Sequence, residues 1–273
     1  MKDENWLYTI SSKHKLINLN FKEIWRYRDL LLLFVKRDVV TLYKQTILGP
    51  LWYVIQPLFT SVIFTLIFNN LANIPTGDGV PAFKECLTGT SNTFTKNQNI
   101  FGKVYFPRVI MPMSIVVSNL LKFGIQLLVF IVFYLYYVFA KGANVLPNIN
   151  LLLLPLIVLV MALLGLGFGM LISSMTTKYK DLTFLVQFGV QLLMYGSAVM
   201  YPLSYFEEKL PNYSWLVEYN PIAIIVETFR NMTLGVDLFY LDKFIYAVVF
   251  SILIFLLGLV VFNKTEKSFI DTV

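Results

Sequence analysis

The stretch Val109 to Phe139 reads VIMPMSIVVSNLLKFGIQLLVFIVFYLYYVF, and Lys122 is the one charge that interrupts it. A helix crossing a hydrocarbon core of about 30 Å needs roughly 20 successive apolar residues. This run is longer than that. Lipid offers no water to backbone N–H and C=O groups, so such a run crosses as a helix whose hydrogen bonds are internal. Gly49 to Leu71, Leu151 to Met175, Leu182 to Leu203 and Phe244 to Phe262 meet the same criterion. The expected fold is therefore all-α and membrane-embedded, with five evident spans.

Composition agrees. Of 273 residues, 57% are hydrophobic and 14% charged, with a mean hydropathy of +0.68, whereas soluble domains carry about 25% charged residues. A soluble enzyme is excluded on this ground. One cysteine, Cys86, permits no internal disulfide, and one histidine, His14, cannot complete a zinc site with it. No cofactor is expected in this chain. The formal charge of +6 follows topology rather than a nucleic-acid face: residues 1–47 hold nine Lys/Arg against five Asp/Glu, and residues 204–243 hold three against six. No nucleic-acid partner is expected. Met1 to Asn20 lacks an apolar core followed by a small-residue cleavage site, so the first span is expected to serve as an uncleaved insertion signal.

Between Phe21 and Thr46 the apolar positions Phe21, Trp25, Leu32, Val35, Val39, Leu42 and Tyr43 recur at near-helical spacing among basic residues. The continuous apolar run, Leu30 to Val35, is too short to cross. The pattern predicts a helix lying in the membrane interface, with basic groups on lipid phosphates. Trp215 to Leu234 is apolar but carries Glu218, Glu227 and Arg230, which predicts short re-entrant or surface-lying helices. Asn220-Pro221 supplies a cap and a first-turn proline for one of them. The expected organisation is a tail and interface helix over 1–48, a transmembrane domain over 49–262 and a C-terminal tail over 263–273.

Basic residues orient a membrane protein, because they stay on the cytoplasmic side. The N-terminal region, Lys178 and Lys180, and Lys264 and Lys267 mark cytoplasmic ends, so both termini are expected there. Residues 96–108, KNQNIFGKVYFPR, carry three positive charges and no acid and belong on that side too. Yet only one span separates them from the basic N-terminus. The intervening LANIPTGDGVPAFKECLTGTSNTFT (71–95) contains Pro75, Asp78, Pro81, Lys84 and Glu85 and cannot cross as a lipid-facing helix.

No G-x-x-x-x-G-K-[ST] phosphate loop occurs, so energy for transport must come from an ion gradient or a separate subunit. Gly165, Gly167 and Gly169 lie inside an apolar span, where Gly165-x-x-x-Gly169 points to close helix packing rather than to a nucleotide. The spans contain Lys122 and no carboxylate, which gives proton coupling little to work with; Lys122 either snorkels or faces a water-filled path. Glu227 and Arg230, three residues apart, share a helix face. They form either a local ion pair or a polar plug near the exit of a conduit. The 44 aromatics exceed what two interfacial belts need. Trp52, Tyr53, Phe59, Tyr195 and Tyr201 are candidates for a conduit in which rings stack on the C–H faces of sugars, against the ordinary role of packing on lipid or a neighbouring helix. A membrane-embedded lipid-linked sugar transferase would need convergent carboxylates, and Glu207, Glu208, Glu218 and Glu227 are thinly spread.

Five strings, TLYKQTILGPLWYVIQP (41–57), KVYFPR (103–108), KYKD (178–181), YPLS (201–204) and NPIAIIVETFR (220–230), stand in one order along nearly the whole chain. In this the sequence resembles the transmembrane subunits of polysaccharide-exporting ABC transporters, the O-antigen and teichoic-acid exporter permeases. The resemblance implies a homodimer forming a continuous channel, joined to two copies of a separate ATPase subunit that binds ATP and magnesium. The cargo implied is an undecaprenyl-linked cell-surface polysaccharide crossing the bacterial cytoplasmic membrane. Residues 96–106 would be the coupling helix, with Asn99, Phe101, Lys103 and Tyr105 on the ATPase. Lys178, Lys180 and Asp181 would make a second contact, and residues 215–235 the re-entrant region on the outer side. A small-molecule efflux permease of similar architecture is the alternative reading. The family has six spans, one of them between the first span and the coupling helix, where this chain has only GVPAFKECL. The resemblance and the charge pattern thus point to the same missing crossing, which favours a deletion or unrepresented segment near Val80 to Phe83 over a natural five-span protein or an engineered loop.

Overall fold

The structure, a computed structural model, describes residues 21–41, 44, 46–52, 54–55, 58–59, 107–141, 149–179, 181–197, 203–234 and 240–272. Three apolar segments among these are long enough to cross a membrane: Ile110–Val132, Ile149–Thr177 and Leu241–Thr265. At 1.5 Å per residue each exceeds the roughly 30 Å core. They lie on helices α3 (Ile110–Lys141), α4 (Leu154–Lys178) and α9 (Leu241–Thr272), which carry the second, third and fifth expected spans. The expected first span lies outside the described residues beyond Phe59, and the GVPAFKECL segment lies wholly outside them. All regular elements among the described residues are helical.

The expected fourth span is shorter than its hydropathy predicts. Helix α5 covers Leu182–Tyr195, about 21 Å, and Gly196 closes it by donating its N–H to the Leu192 carbonyl at 2.9 Å. A new helix, α6 (Leu203–Lys209), begins where the span was expected to end. It leads through α7 (Ser214–Glu218) to α8 (Pro221–Leu234), so the predicted short helices of the 215–235 region are present.

Two apolar clusters hold the helices at opposite ends. One joins Ile110 and Met111 of α3 to Leu166 and Met170 of α4 and to Leu259 and Phe262 of α9. The other joins Ile157 and Leu164 of α4 and Phe244 of α9 to Val190 of α5 and to Ile225 and Met232 of α8. Late residues of α4 meet late residues of α9, and early meet early, so these two run in the same direction while α3 runs against them. Hydroxyls within the bundle donate to their own helices, as Ser118 does to the Ser114 carbonyl and Ser251 to that of Ala247, which satisfies them without water.

Helices α4 and α9 touch backbone to backbone. A Cβ built on Gly258 would sit 2.4 Å from the Gly167 carbonyl oxygen, and one on Gly167 would sit 2.7 Å from the Phe255 nitrogen. The expected packing glycines, Gly165 and Gly169, are buried, but the close approach belongs to Gly167 between them. Which glycine of the three meets the neighbour depends on where the two axes cross.

The expected interface helix is two helices, α1 (Phe21–Arg26) and α2 (Arg28–Thr41), interrupted at Tyr27. Its apolar residues divide. Phe34 is buried in the cluster at the start of α3 and Val35 is buried beside it in sequence, while Leu32, Leu33 and Trp25 remain exposed, Trp25 by 70%. Protein packing and a lipid-ready surface therefore occupy different sides of one element. Arg28 lies 5.6 Å from the Trp25 ring and Arg37 5.0 Å from the Phe34 ring, so both cations sit over aromatic faces.

Candidate functional site

The polar contacts between distant parts of the chain concentrate at the end of the bundle occupied by α8. Asn220 caps that helix, its Oδ1 accepting from the Ile222 N–H at 3.0 Å with Pro221 in the first turn. Its amide nitrogen turns the other way and donates to the Gly196 carbonyl at 3.2 Å and to Ser197 Oγ at 3.0 Å. One side chain thus starts α8 and holds the end of α5.

Two turns further along α8, Glu227 Oε1 accepts from Arg230 Nη1 at 2.7 Å and from the Leu203 backbone N–H at 3.0 Å. The Leu203 N–H belongs to the first turn of α6, where a helix has no internal acceptor for it and where its dipole favours a negative charge. The carboxylate therefore neutralises Arg230 and completes α6 together. The Arg230 side chain is 6% exposed and that of Glu227 15%. Sequence spacing alone allowed a local surface pair. The observed pair is nearly buried and joins two helices.

Asn220 and Glu227 bracket the interval 198–202, one holding the residues before it and the other the residue after it. The body of α8 is enclosed by apolar contacts. Ile222, Ile225, Val226 and Met232 join the cluster that α8 shares with α4, α5 and α9, and Ala223 packs with Val217 against Leu203 and Phe206. A third tie comes from Lys243 at the start of α9, whose Nζ is 2.6 Å from Glu218 Oε1 of α7 and 4.6 Å from the Tyr240 ring centroid. From there Tyr219, Tyr246, Phe250 and Phe168 form a chain of ring contacts with centroids 6.3, 5.9 and 6.4 Å apart.

Of the remaining expected residues, Lys178, Asp181, Trp52 and Phe59 lie among the described side chains or helix ends. Asp181 caps α5, accepting from the Leu182 N–H at 3.1 Å, and Lys178 is the last residue of α4, so a tight turn joins the two helices there. Lys180, Asn99, Phe101, Lys103 and Tyr105 lie outside the described residues. Trp52 is 45% and Phe59 65% exposed. Tyr195 ends α5 with its ring outside the described atoms, and Tyr53 and Tyr201 lie outside the described residues. Glu227 and Arg230 are the expected pair the structure brings together. Among the described residues no three His, Cys, Asp or Glu side chains converge that could hold a metal ion.

Sequence reasoning treated Asn220 as a cap and did not foresee its second role. Nor did it foresee the Glu218–Lys243 pair, whose members are 25 residues apart. For the Glu218–Lys243 pair, an acid in an apolar stretch is the signal left in the sequence.

A family model described as ABC-2 type transporter matches residues 29–234. The chain is 27% identical over 255 residues to a Klebsiella pneumoniae protein named O-antigen export system permease protein RfbA, covering 89% of this chain and 94% of that protein. A second Klebsiella pneumoniae protein of the same name is 25% identical over 261 residues, with the same coverage. A Myxococcus xanthus protein, also of that name, is 24% identical over 219 residues, or 77% of this chain and 82% of its own length.

Proposed function

This chain belongs to the ABC-2 type transporter family, and from that premise we propose that it is the channel-forming membrane subunit of an ATP-driven polysaccharide exporter. Its cargo is an undecaprenyl-linked cell-surface polymer, O-antigen or teichoic acid, carried across a bacterial cytoplasmic membrane. One observation carries this reading. Three relatives named as O-antigen export permeases match the chain across most of both lengths.

The absence of a phosphate loop from the sequence supports a separate ATPase as the energy source. Two chains form the conduit and two ATPase copies, holding ATP and magnesium, drive it. The basic α1–α2 region, the start of α3, the α4–α5 turn and the end of α9 share one end of the bundle, the proposed cytoplasmic end with both chain termini. There Asn99, Phe101, Lys103 and Tyr105 seat in the ATPase, and Lys178, Lys180 and Asp181 add a second contact. At the other end α8 is the re-entrant element by the exit. Trp52, Tyr53, Phe59, Tyr195 and Tyr201 offer sugar-stacking faces along the way. ATP closure of the partner pair shifts the population between closed and open conduits.

Deleting the gene and scoring surface polymer tests the reading. Loss of surface polysaccharide with lipid-linked polymer retained inside is expected, and intact surface polymer with altered drug efflux overturns it. The chain purified alone is expected to hydrolyse no ATP. Lys103→Glu is expected to abolish ATPase stimulation while the membrane dimer survives, and unchanged stimulation removes Lys103 from the coupling surface.

A further inference from the structure

Lys122 lies one residue past the midpoint of the apolar segment Ile110–Val132, about 18 Å from its start at the helical rise of 1.5 Å per residue. A lysine stem reaches the headgroups readily from a helix end and poorly from the middle. Four polar residues at intervals of four, Ser114, Ser118, Lys122 and Gln126, form a slowly turning stripe up α3. Ser114 and Ser118 are buried and donate to the Met111 and Ser114 carbonyls of their own helix. Lys122 and Gln126 are only half-buried, and from Leu120 onward no described side chain of α3 is buried. Lys122 thus stands where α3 leaves the bundle, its charge at an accessible position at mid-membrane depth.

That charge needs a counterpart. Among the described residues Lys122 makes no ion pair. The apolar stretches 49–71, 109–139, 151–175, 182–203 and 244–262 contain no Asp or Glu, so neither this chain nor a second copy can supply a carboxylate from a span. Glu227, on α8, accepts from Arg230 and from the Leu203 N–H. An anion from outside the protein supplies that complement without any carboxylate in a span, and an ammonium binds phosphate as a compact point charge. Resting on the exporter reading above, we propose that Lys122 contacts the diphosphate headgroup of the lipid-linked cargo as it passes the centre of the membrane. The five apolar stretches carry no other Lys or Arg, and hydrocarbon alone would strongly exclude such a headgroup.

The test uses the complete complex of this chain with its ATPase in nanodiscs and three probes: undecaprenyl diphosphate, undecaprenol and sodium pyrophosphate. Lys122→Gln is expected to weaken undecaprenyl diphosphate binding by about tenfold or more, the scale of one charge-assisted contact. Lys122→Arg is expected to keep most of it, and undecaprenol binding is expected to be unchanged in both. Undiminished diphosphate binding by Lys122→Gln overturns the proposal, as does an equal loss of undecaprenol binding, which marks a structural defect. Pyrophosphate binding as tight as that of the lipid assigns the site to a free anion and overturns it as well. If the unaltered complex exports lipid-linked polymer and Lys122→Gln exports it at the same rate, this inference alone falls; if the unaltered complex exports none, the exporter reading falls first.

Discussion

Gly258 meets Gly167 so closely that a Cβ on Gly258 would lie 2.4 Å from the Gly167 carbonyl oxygen. The obstacle is backbone, which cannot rotate away as a side chain can. Helices α4 and α9 therefore owe their parallel contact to two missing side chains, one on each helix.

Gly258→Ala is accordingly expected to destabilise the bundle by about 1–3 kcal/mol, the usual cost of overpacking a close contact. Gly124→Ala is the control, because a Cβ there meets nothing within 4 Å. Thermal unfolding of both variants in the same detergent checks this, and equal midpoints would contradict the contact.

Arg230→Ala leaves the Glu227 carboxylate nearly buried without its cation. Removing one partner of a buried pair costs about 3–5 kcal/mol, so a large loss of stability is expected. Glu227→Gln keeps an oxygen for the Leu203 N–H and leaves Arg230 without its anion, so protection of the Leu203 amide should outlast the loss of the ion pair. Hydrogen exchange at Leu203, compared with global unfolding, separates the two effects.

Asn220 performs two tasks that substitution can divide. Asn220→Asp keeps the acceptor that caps α8 and removes the donors to Gly196 and Ser197. Asn220→Ala removes both, with a capping loss of about 1 kcal/mol. Exchange at Ile222 is expected to rise only in the alanine variant. Faster relaxation of the 196–197 region is expected in both, and its absence would mean the α5 tether carries no load.

The Glu218–Lys243 pair is partly exposed, with side chains 30% and 22% accessible, so its coupling is expected to stay at or below about 1 kcal/mol and to fall with salt. A double-mutant cycle at low and high ionic strength measures it. A coupling of several kcal/mol would mean the pair is enclosed more tightly than its accessibility indicates.

The long spans were legible because crossing a membrane is a requirement on a contiguous window, and α3, α4 and α9 satisfy it locally. The interruption after Tyr195 was not. Residues 196–203 are still largely apolar, and the Gly196 cap together with the Asn220 and Glu227 contacts shows that α5 ends and α6 begins there. Glu227 and Arg230 could be paired from their spacing, while the enclosure that makes the pair consequential came from Leu203, 24 residues away.

The sequence by itself determined that this chain lives in a membrane, where its apolar windows lie and which ends are basic, because hydrocarbon imposes those terms on each segment separately. The tertiary structure decided which glycine lets α4 touch α9, which side of α2 is protein rather than lipid-ready surface, and that α8 holds both sides of the 198–202 interval. Those outcomes depend on helix crossing points and on side chains meeting across 20 or more residues, and no local pattern encodes where two axes cross.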